Sequence, residues 1–482
     1  MSPFATLVRR LLPHSRVARI ALGVLVGLAV FAWAFDWNWC RPLIRHYVMS
    51  HSGRNFEFDD LEVSLRDGLD PRIEFRGLVI QNAPLAASKA PFIRAGRVAA
   101  TLSWRSLGSD MIIVNLVEME DAQLDMERQA DGLRNWRLGH PDDRGPQRVR
   151  VLELDAKRSR LHAIHRGIGL EMDASTTPLP APESLAGHPD LPLTRLVHFE
   201  GRFKDDPFEG SAQVSDVLAF GDTPRRFTFR ADARSGAVRV EASGLANDAH
   251  ELGDLDCDFR LSAVGSGLAK PLPEALARVR PLVAQGHVTK NGDAWTSADV
   301  RLRAGRQTSL AATIAFTGSF KSDTPRRTLK ATLRDAVIDV DDLSLLRGKT
   351  PPGEKTLPQT RADADHALST QPLPLELLRK LDADVELRPA RLTGAERGFA
   401  HSLRGHALLD GGVLKLQALD AGLADGHVTG TLRIDASRSP ADVALDLDAR
   451  GLRVDQLSST LAANGALEGA IDGHVAVKAR GD

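Results

Sequence analysis

Along most of the chain, apolar and polar residues alternate with a period of two, the pattern of a strand with one face buried and one face wet. Phe56 and Phe58 alternate with acidic residues, as do Leu61, Val63 and Leu65; Ile73 and Phe75 follow a start at Pro71. Val98, Ala100, Leu102 and Trp104 share one face. The rhythm returns at Phe227, Phe229 and Ala231, then at Val238 and Val240 across a Ser235-Gly236 turn. It is most regular at Leu255, Cys257, Phe259 and Leu261, set against Asp254, Asp256, Asp258 and Arg260. Val300 to Phe316, Leu329 to Leu333, Leu381 to Leu387, Leu414 to Ile434 and Val443, Leu445 and Leu447 continue the series. Gly- and Asn-containing turns such as Asn291-Gly292 and Gly411-Gly412 separate these runs and predict tight hairpins. Helical periodicity is confined to short stretches: Arg41–Ser50, stopped by Gly53 as a C′ residue, Pro271–Arg280, Pro374–Lys380 and Asp455–Ala463. The expected fold is therefore mainly β and antiparallel, with about 20 strands at about six to ten residues each.

Two polar, proline-rich stretches interrupt the rhythm, and they predict a loop at 174–192 and a linker at 348–373. They divide the exported part into a β region at 39–173, a middle β region at 193–347 and a C-terminal β module at 374–482.

The N-terminal segment breaks the pattern altogether. Ile20 to Phe35 reads IALGVLVGLAVFAWAF, with no charge, after a basic stretch at 1–19 that holds Arg9, Arg10, Arg16 and Arg19. With its flanks the run approaches the roughly 20 apolar residues that a bilayer-spanning helix needs. It predicts a transmembrane helix at 20–38 whose membrane-anchor residues are Ile20, Leu22, Val24, Leu25, Val26, Leu28, Val30, Phe31, Trp33 and Phe35. The positive flank keeps the N-terminus in the cytosol, and Trp37, Trp39 and Tyr47 then fall at the far interface. Ala32-Trp33-Ala34 also fits a signal-peptidase pattern. The apolar run continuing through Phe35 and the following tryptophan pair favour retention as an anchor, and either outcome exports the bulk of the chain. Arg, Ala and Gly outnumber Lys and Asn, as in a GC-rich bacterial gene, so the expected location is a single-pass inner-membrane protein with a periplasmic bulk.

Composition narrows the function. With 62 basic and 63 acidic residues the formal net charge is −1, and no basic stripe interleaved with aromatics points to nucleic acid. Two cysteines, Cys40 and Cys257, cannot make a disulfide framework. No nucleophile elbow, phosphate loop, zinc-protease helix or paired C-x-x-C occurs. His162 and His165 are spaced to lie on opposite faces of a strand, and Asp339-Val340-Asp341-Asp342 lacks the glycine and distal glutamate of a calcium loop, which leaves a solvated turn. The acidic stripes Asp254/Asp256/Asp258 and Asp442/Asp446/Asp448 are those of wet strand faces. The expectation is no catalytic residue, no metal and no cofactor.

The informative feature is a mismatch. One face of about 20 strands is aliphatic, while too few helices exist to cover it, and large exposed apolar patches are rarely tolerated. Either a second sheet covers that face, as in β-sandwiches, or a single sheet curls into an open groove that holds lipid tails. Periodicity leaves both open. The candidate groove-lining residues are Phe227, Phe229, Val238, Val240, Leu255, Cys257, Phe259, Leu261, Val443, Leu445 and Leu447.

The chain also resembles the AsmA family of bacterial envelope proteins. The residues that carry the resemblance are Trp37-Asn38-Trp39 and Arg41-Pro42 after the apolar run, Ser52-Gly53-Arg54, Pro71-Arg72-Ile73 leading to Gln81-Asn82-Ala83, and Asp131-Gly132 before Asn135-Trp136. Gly411-Gly412 and Gly426-His427-Val428-Thr429-Gly430-Thr431 match toward the C-terminus. The resemblance implies an anchored periplasmic protein of the bridge-like lipid-transfer kind, with phospholipid as cargo, a role in outer-membrane biogenesis, and outer-membrane or periplasmic proteins as partners. It implies further strands after Leu467–Gly481, so the C-terminal module is expected to be truncated. The alternative from another class is a β-sandwich scaffold that aids outer-membrane protein assembly through exposed strand edges.

Overall fold

In a computed structural model of the chain, the described residues are 36–66, 70–83, 86–106, 109, 111–136, 149–219, 226–247, 254–264, 279–318, 327–339, 341–342, 378–379, 381–394, 400–453 and 469–481. The anchor residues Ile20 to Phe35 lie outside them, as do the helix expected at Asp455–Ala463, nearly all of that at Pro271–Arg280 and most of that at Pro374–Lys380. Strands dominate, and they form one large mixed sheet that does not close. The chain divides into two compact units, Met1–Asp125 with Asn135–Arg150, and Met126–Arg134 with Val151–Asp482.

In the first unit, a 3-10 turn at Trp37–Cys40 leads into helix α1 (Arg41–Ser52). The helix ends where the sequence places its stop: Gly53 adopts φ 65° and its N–H bonds to the Met49 carbonyl at 2.9 Å. Strands β1 (Phe56–Glu57), β2 (Asp60–Arg66), β3 (Asp70–Ile80), β4 (Ile93–Leu102) and β5 (Ile112–Arg128) follow, with β3 antiparallel to β1, β2 and β4, and β4 antiparallel to β5. Phe56, Phe58 and Phe75 meet edge to face at centroid distances of 5.3–5.7 Å, a geometry favoured by the ring quadrupoles. Phe58 and Leu61 are almost fully buried.

The second unit is a meander. Short strands β6 (Val149–Val151) and β7 (Glu153–Lys157) precede β8 (Arg160–His165), β9 (Leu170–Leu185), β10 (His188–Phe203) and β11 (Asp206–Val214). After β12 (Leu218–Ala219) come β13 (Phe227–Ser235), β14 (Val238–Ala246), β15 (Asp254–Ala263), β16 (Leu282–Asn291), β17 (Ala294–Ala304), β18 (Thr308–Thr317) and β19 (Arg327–Asp339). The last strands are β20 (Leu381–Thr393), β21 (Ala400–Asp410), β22 (Val413–Leu423), β23 (Gly426–Asp435), β24 (Ala441–Arg453) and β25 (Ala470–Gly481). The Asn291-Gly292 turn is a hairpin as expected, with Gly292 at φ 55°.

Two expectations are corrected. The proline-rich stretch 174–192 is no loop: it forms most of β9 and the start of β10, turning at Gly187. Thr176 donates its N–H to Ser159, on the β8 side of the strand, and Pro178 two residues on presents its missing N–H to that same side. There β8 has already ended at Arg160, so no ladder bond is lost. The sheet is also not wholly antiparallel. β19 and β20 run parallel, from Arg327 opposite Leu381 to Asp339 opposite Thr393. A parallel pair needs a crossover of a dozen or more residues, and the polar segment that contains 348–373 supplies that length. The strands on either side of it are hydrogen-bonded neighbours.

Candidate functional site

Register brings the predicted lining residues together. Residues that pair directly across strands lie on the same face. One such row runs Leu161, Ala174, Phe199, Gly210, Ala233, Val240, Leu261, Ala284, Leu302, Leu310, from β8 to β18, with no polar member. A second runs from β13 to β25: Phe227, Ala246, Leu255, Lys290, Trp295, Phe316, Leu329, Ala383, Leu409, Leu414, Ile434, Val443, Ala479. A third places Ile314, Ala331, Val385, Ala407, Leu416, Leu432, Leu445 and Val477 in line. At about 4.8 Å per strand this apolar face extends for about 75 Å across the second unit.

Burial within the face is uneven. At one end of β13–β16, Phe227, Ala246, Leu255 and Cys257 form a buried cluster, and at the other Val238, Ala263 and Leu282 form another. Between them Ala231, Ala242, Phe259 and Leu261 are only half-buried and Val240 is 39% exposed. Val443, Leu445 and Leu447 on β24 are likewise half-buried. A second sheet packed on this face would bury these central positions first, and among the described strands no such sheet exists.

Glycines on this face stand opposite large residues. Gly210 faces Phe199, Gly244 lies between Phe229 and Cys257, Gly286 faces Phe259, and Gly430 faces Leu447. A Cβ on Gly244 would collide with the Asp256 carbonyl, and one on Gly430 with that of Asp446. At these points the neighbouring strand's backbone leaves no room for a side chain. Glycine in a strand interior is otherwise costly.

The face carries few charges, and those named here are neutralised locally. Lys290 places Nζ 5.3 Å from the Trp295 ring centroid. Arg195, 7% exposed, forms an ion pair with Asp155 at 2.6 Å. Burial raises the Asp155 carboxyl above the ordinary carboxylate range, against the opposing pull of Arg195 and Lys157. Burial and the neighbouring Asp258 and Asp256 push the Cys257 thiol up to about 11, so it stays protonated and inert.

The opposite face is wet and self-paired. His162 bonds Asp173 at 2.9 Å, His287 bonds Asp258 at 3.0 Å, and His474 bonds Asp448 at 3.1 Å. Asp446, Asp448 and His474 approach one another closely, but all three are exposed. A cleft of about 860 Å³ lies against β11 and β13–β17, where Arg230 pairs with Glu183, Arg239 with Asp232 and Glu241, and Arg301 with Asp299. Its charges answer one another rather than converging on a vacant centre.

Other sequence features turn out to be structural locks. Asn135, fully buried, donates to the Asp125 carbonyl at 2.7 Å and to Asn82 Oδ1 at 3.0 Å, while Ser88 donates to the Asp125 carboxylate at 2.8 Å. The Asn82 and Asn135 motifs thus meet in one polar knot. Asn38 accepts from the Leu61 N–H at 3.0 Å and donates to Asp60 at 2.7 Å, tying the Trp-Asn-Trp turn to β2. The Asp339–Asp342 stretch is not the solvated turn expected: Asp339 and Asp342 are buried. The Asp342 carboxylate accepts the N–H groups of Arg306 (3.0 Å) and Thr308 (3.3 Å) and the Thr308 hydroxyl (2.8 Å). Those donors point at the oxygens a cation would need.

Sequence reasoning named two blocks of the lining and missed what joins them. Trp295, Leu302, Ile314, Val385 and Leu416 complete the rows; their alternation was legible, but not their register. Among the described residues no helix is long and apolar enough to cross a membrane, and the anchor residues fall outside those residues.

The described residues form a large open, β-rich sheet with one largely apolar face, broken at positions such as Lys290 and Arg195. The family model described as "AsmA family" matches residues 16–158 and 198–482, and the chain belongs to that family. It is similar to the AsmA family protein YhjG of Escherichia coli (strain K12), with 22% identity over 477 residues, 90% of this chain and 69% of the relative. No solved structure matches. The internal stretch between the two matched segments, 159–197, corresponds to β8, β9 and the start of β10.

Proposed function

We propose that this protein is anchored in the bacterial inner membrane by Ile20–Phe35 and that its periplasmic sheet carries phospholipid acyl chains on the apolar face, toward the outer membrane. The supporting observation is the pair of cross-strand rows from β8 to β25, apolar apart from Lys290 and half-exposed along their middle. The glycines at Gly244, Gly286 and Gly430 keep that face free of side chains where neighbouring backbone approaches most closely. Tails lie on Leu, Val, Ala and Phe side chains, headgroups stay in water, and no residue performs chemistry. Burying a CH₂ removed from water is worth about 0.8 kcal/mol. Lipid arriving from a bilayer gains almost none of that, so net direction depends on a source and a sink. Partners at the two membranes, or proteins of the periplasm and outer membrane, supply these.

The test is mass spectrometry of lipids that co-purify with the full chain, extracted in detergent and washed into a lipid-free medium. Stoichiometric phospholipid that is lost in a folded Leu445→Asp variant supports the carrier. A lipid-free wild-type chain, cooperatively folded, overturns it in favour of an assembly scaffold.

A further inference from the structure

Helix α1 and the turn before it have one half-buried side and one exposed apolar side. Asn38, Arg41, Ile44 and Val48 recur at helical spacing and are the half-buried side. On the outer side Trp39 is 65% exposed, Leu43 71% and Tyr47 63%, at i, i+4 and i+8, flanked by Trp37 and Met49 at 41% and 61%. A single exposed apolar residue is ordinary, but five within one 3-10 turn and one helix are a patch. From Trp37 to Phe56 the chain has no acidic residue, while Arg41, Arg45, Arg54, His46 and His51 are present. The patch therefore combines amphipathic aromatics with the exposed basic side chains of Arg45 and His46, while the carboxylate of the preceding Asp36 is taken up by Asn38.

We propose that the outer face of α1 lies on the bilayer surface, with Trp39, Leu43 and Tyr47 in the headgroup layer and Arg45 and His46 on lipid phosphates. This rests on the membrane anchor of the preceding section. The occupant follows from the chain itself. The uncharged run ends at Phe35, and even a fully extended chain advances at most about 3.6 Å per residue, so Trp37 lies within about 7 Å and Trp39 within about 14 Å of it. The headgroup layer is only about 5–8 Å thick on each side of the hydrocarbon. With Phe35 at the hydrocarbon edge, the helix begins inside or beside that layer. Trp and Tyr prefer it because one end of the ring is apolar and the other hydrogen-bonds. The helix then sets the first unit at the membrane surface instead of leaving it on a flexible tether.

The experiment uses the full chain in vesicles of phosphatidylethanolamine and phosphatidylglycerol, with Trp39 as the sole tryptophan (Trp33, Trp37, Trp104, Trp136 and Trp295→Phe). Phospholipid brominated near the headgroup end of its tails is expected to lower Trp39 emission by about twofold, with iodide in the buffer nearly without effect, as for an interfacial helix. If the multiple substitution disturbs folding, an environment-sensitive dye on Leu43→Cys, with Cys40 and Cys257→Ser, reads the same depth. Quenching by iodide but not by brominated lipid overturns the proposal, and so does quenching by neither, which means that protein covers the patch. Alkaline carbonate separates the two readings. A chain released by carbonate loses both, whereas one retained in the membrane with an iodide-accessible Trp39 loses only the surface helix.

Discussion

The two compact units use the same alternating strands to different ends. In the first, side chains are spent on locking: three phenylalanines pack edge to face, Asn135 closes a buried polar knot, and Arg72, Glu74, Arg97, Glu118 and Glu120 form an ion-pair ladder across β3, β4 and β5. In the second, the middle of one face is left half-buried for more than a dozen strands, and stability comes from the ladder hydrogen bonds and the buried clusters beside that strip. In the first unit polar side chains sit where they find partners; in the second they are largely kept off one face.

Perturbing the polar knot tests the first half of that contrast. Asn135→Ala is expected to cost about 3 kcal/mol, because it removes two hydrogen bonds and leaves buried partners unsatisfied. It is expected to lower the urea midpoint without changing the lipid bound per folded chain. In the second unit, Gly244→Ala forces a Cβ into the Asp256 carbonyl and is expected to cost about 2 kcal/mol. Gly473→Ala, with nothing within 4 Å of the added atom, is expected to be neutral, and parallel denaturation curves separate the two.

Leu445→Asp acts on binding more than on folding. A half-buried position on an open strip tolerates the charge at about 1 kcal/mol of stability. A carboxylate in the path of acyl chains is expected to lower bound phospholipid about tenfold, equivalent to about 1.4 kcal/mol. Equal losses of stability and lipid would mean that the face is an ordinary core.

Acid sharpens the comparison further. The hydrogen bond from Arg97, with its charge and that of Arg76, holds the Glu74 carboxyl below its ordinary range against the pull of burial. A depressed folded-state pKa contributes stability above the unfolded value of about 4.3, which is lost as pH falls through the folded one. Glu74→Gln is therefore expected to flatten the loss of urea resistance on the acid side. Asp155, raised by burial, has the opposite sign: its contribution falls as pH rises from the unfolded value through the raised one. The smallest effect is chemical. With its thiol pushed up to about 11 and its side chain buried, Cys257 is expected to resist maleimide at pH 8 until the chain unfolds, while the half-buried Cys40 reacts first.

Much of this architecture was legible in the sequence. Alternation at Leu255, Cys257, Phe259 and Leu261 specified both a strand and its apolar face, because side chains in a strand point to opposite sides in turn whatever their partners are. Gly53 and Asn291-Gly292 marked a helix end and a hairpin, because positive φ is a local property that glycine permits. The proline-rich 174–192 misled for a related reason: proline forbids a ladder bond only on the side where its N–H would point, and whether a neighbour stands there is not local. Residues buried by distant partners were equally hidden. Asn82 and Asn135 are 53 positions apart, and Asp342 caps a turn 34–36 residues before it.

What the sequence determined by itself was the class of strand, the identity of its dry face and the apolar run that precedes it. What only the tertiary structure decided was register: that Phe227 and Val443 stand in one row thirteen strands long, that β19 and β20 run parallel, and that no second sheet among the described strands covers the rows. Period-two patterning repeats after every second residue, so it fixes which way a side chain points but not which strand lies beside it.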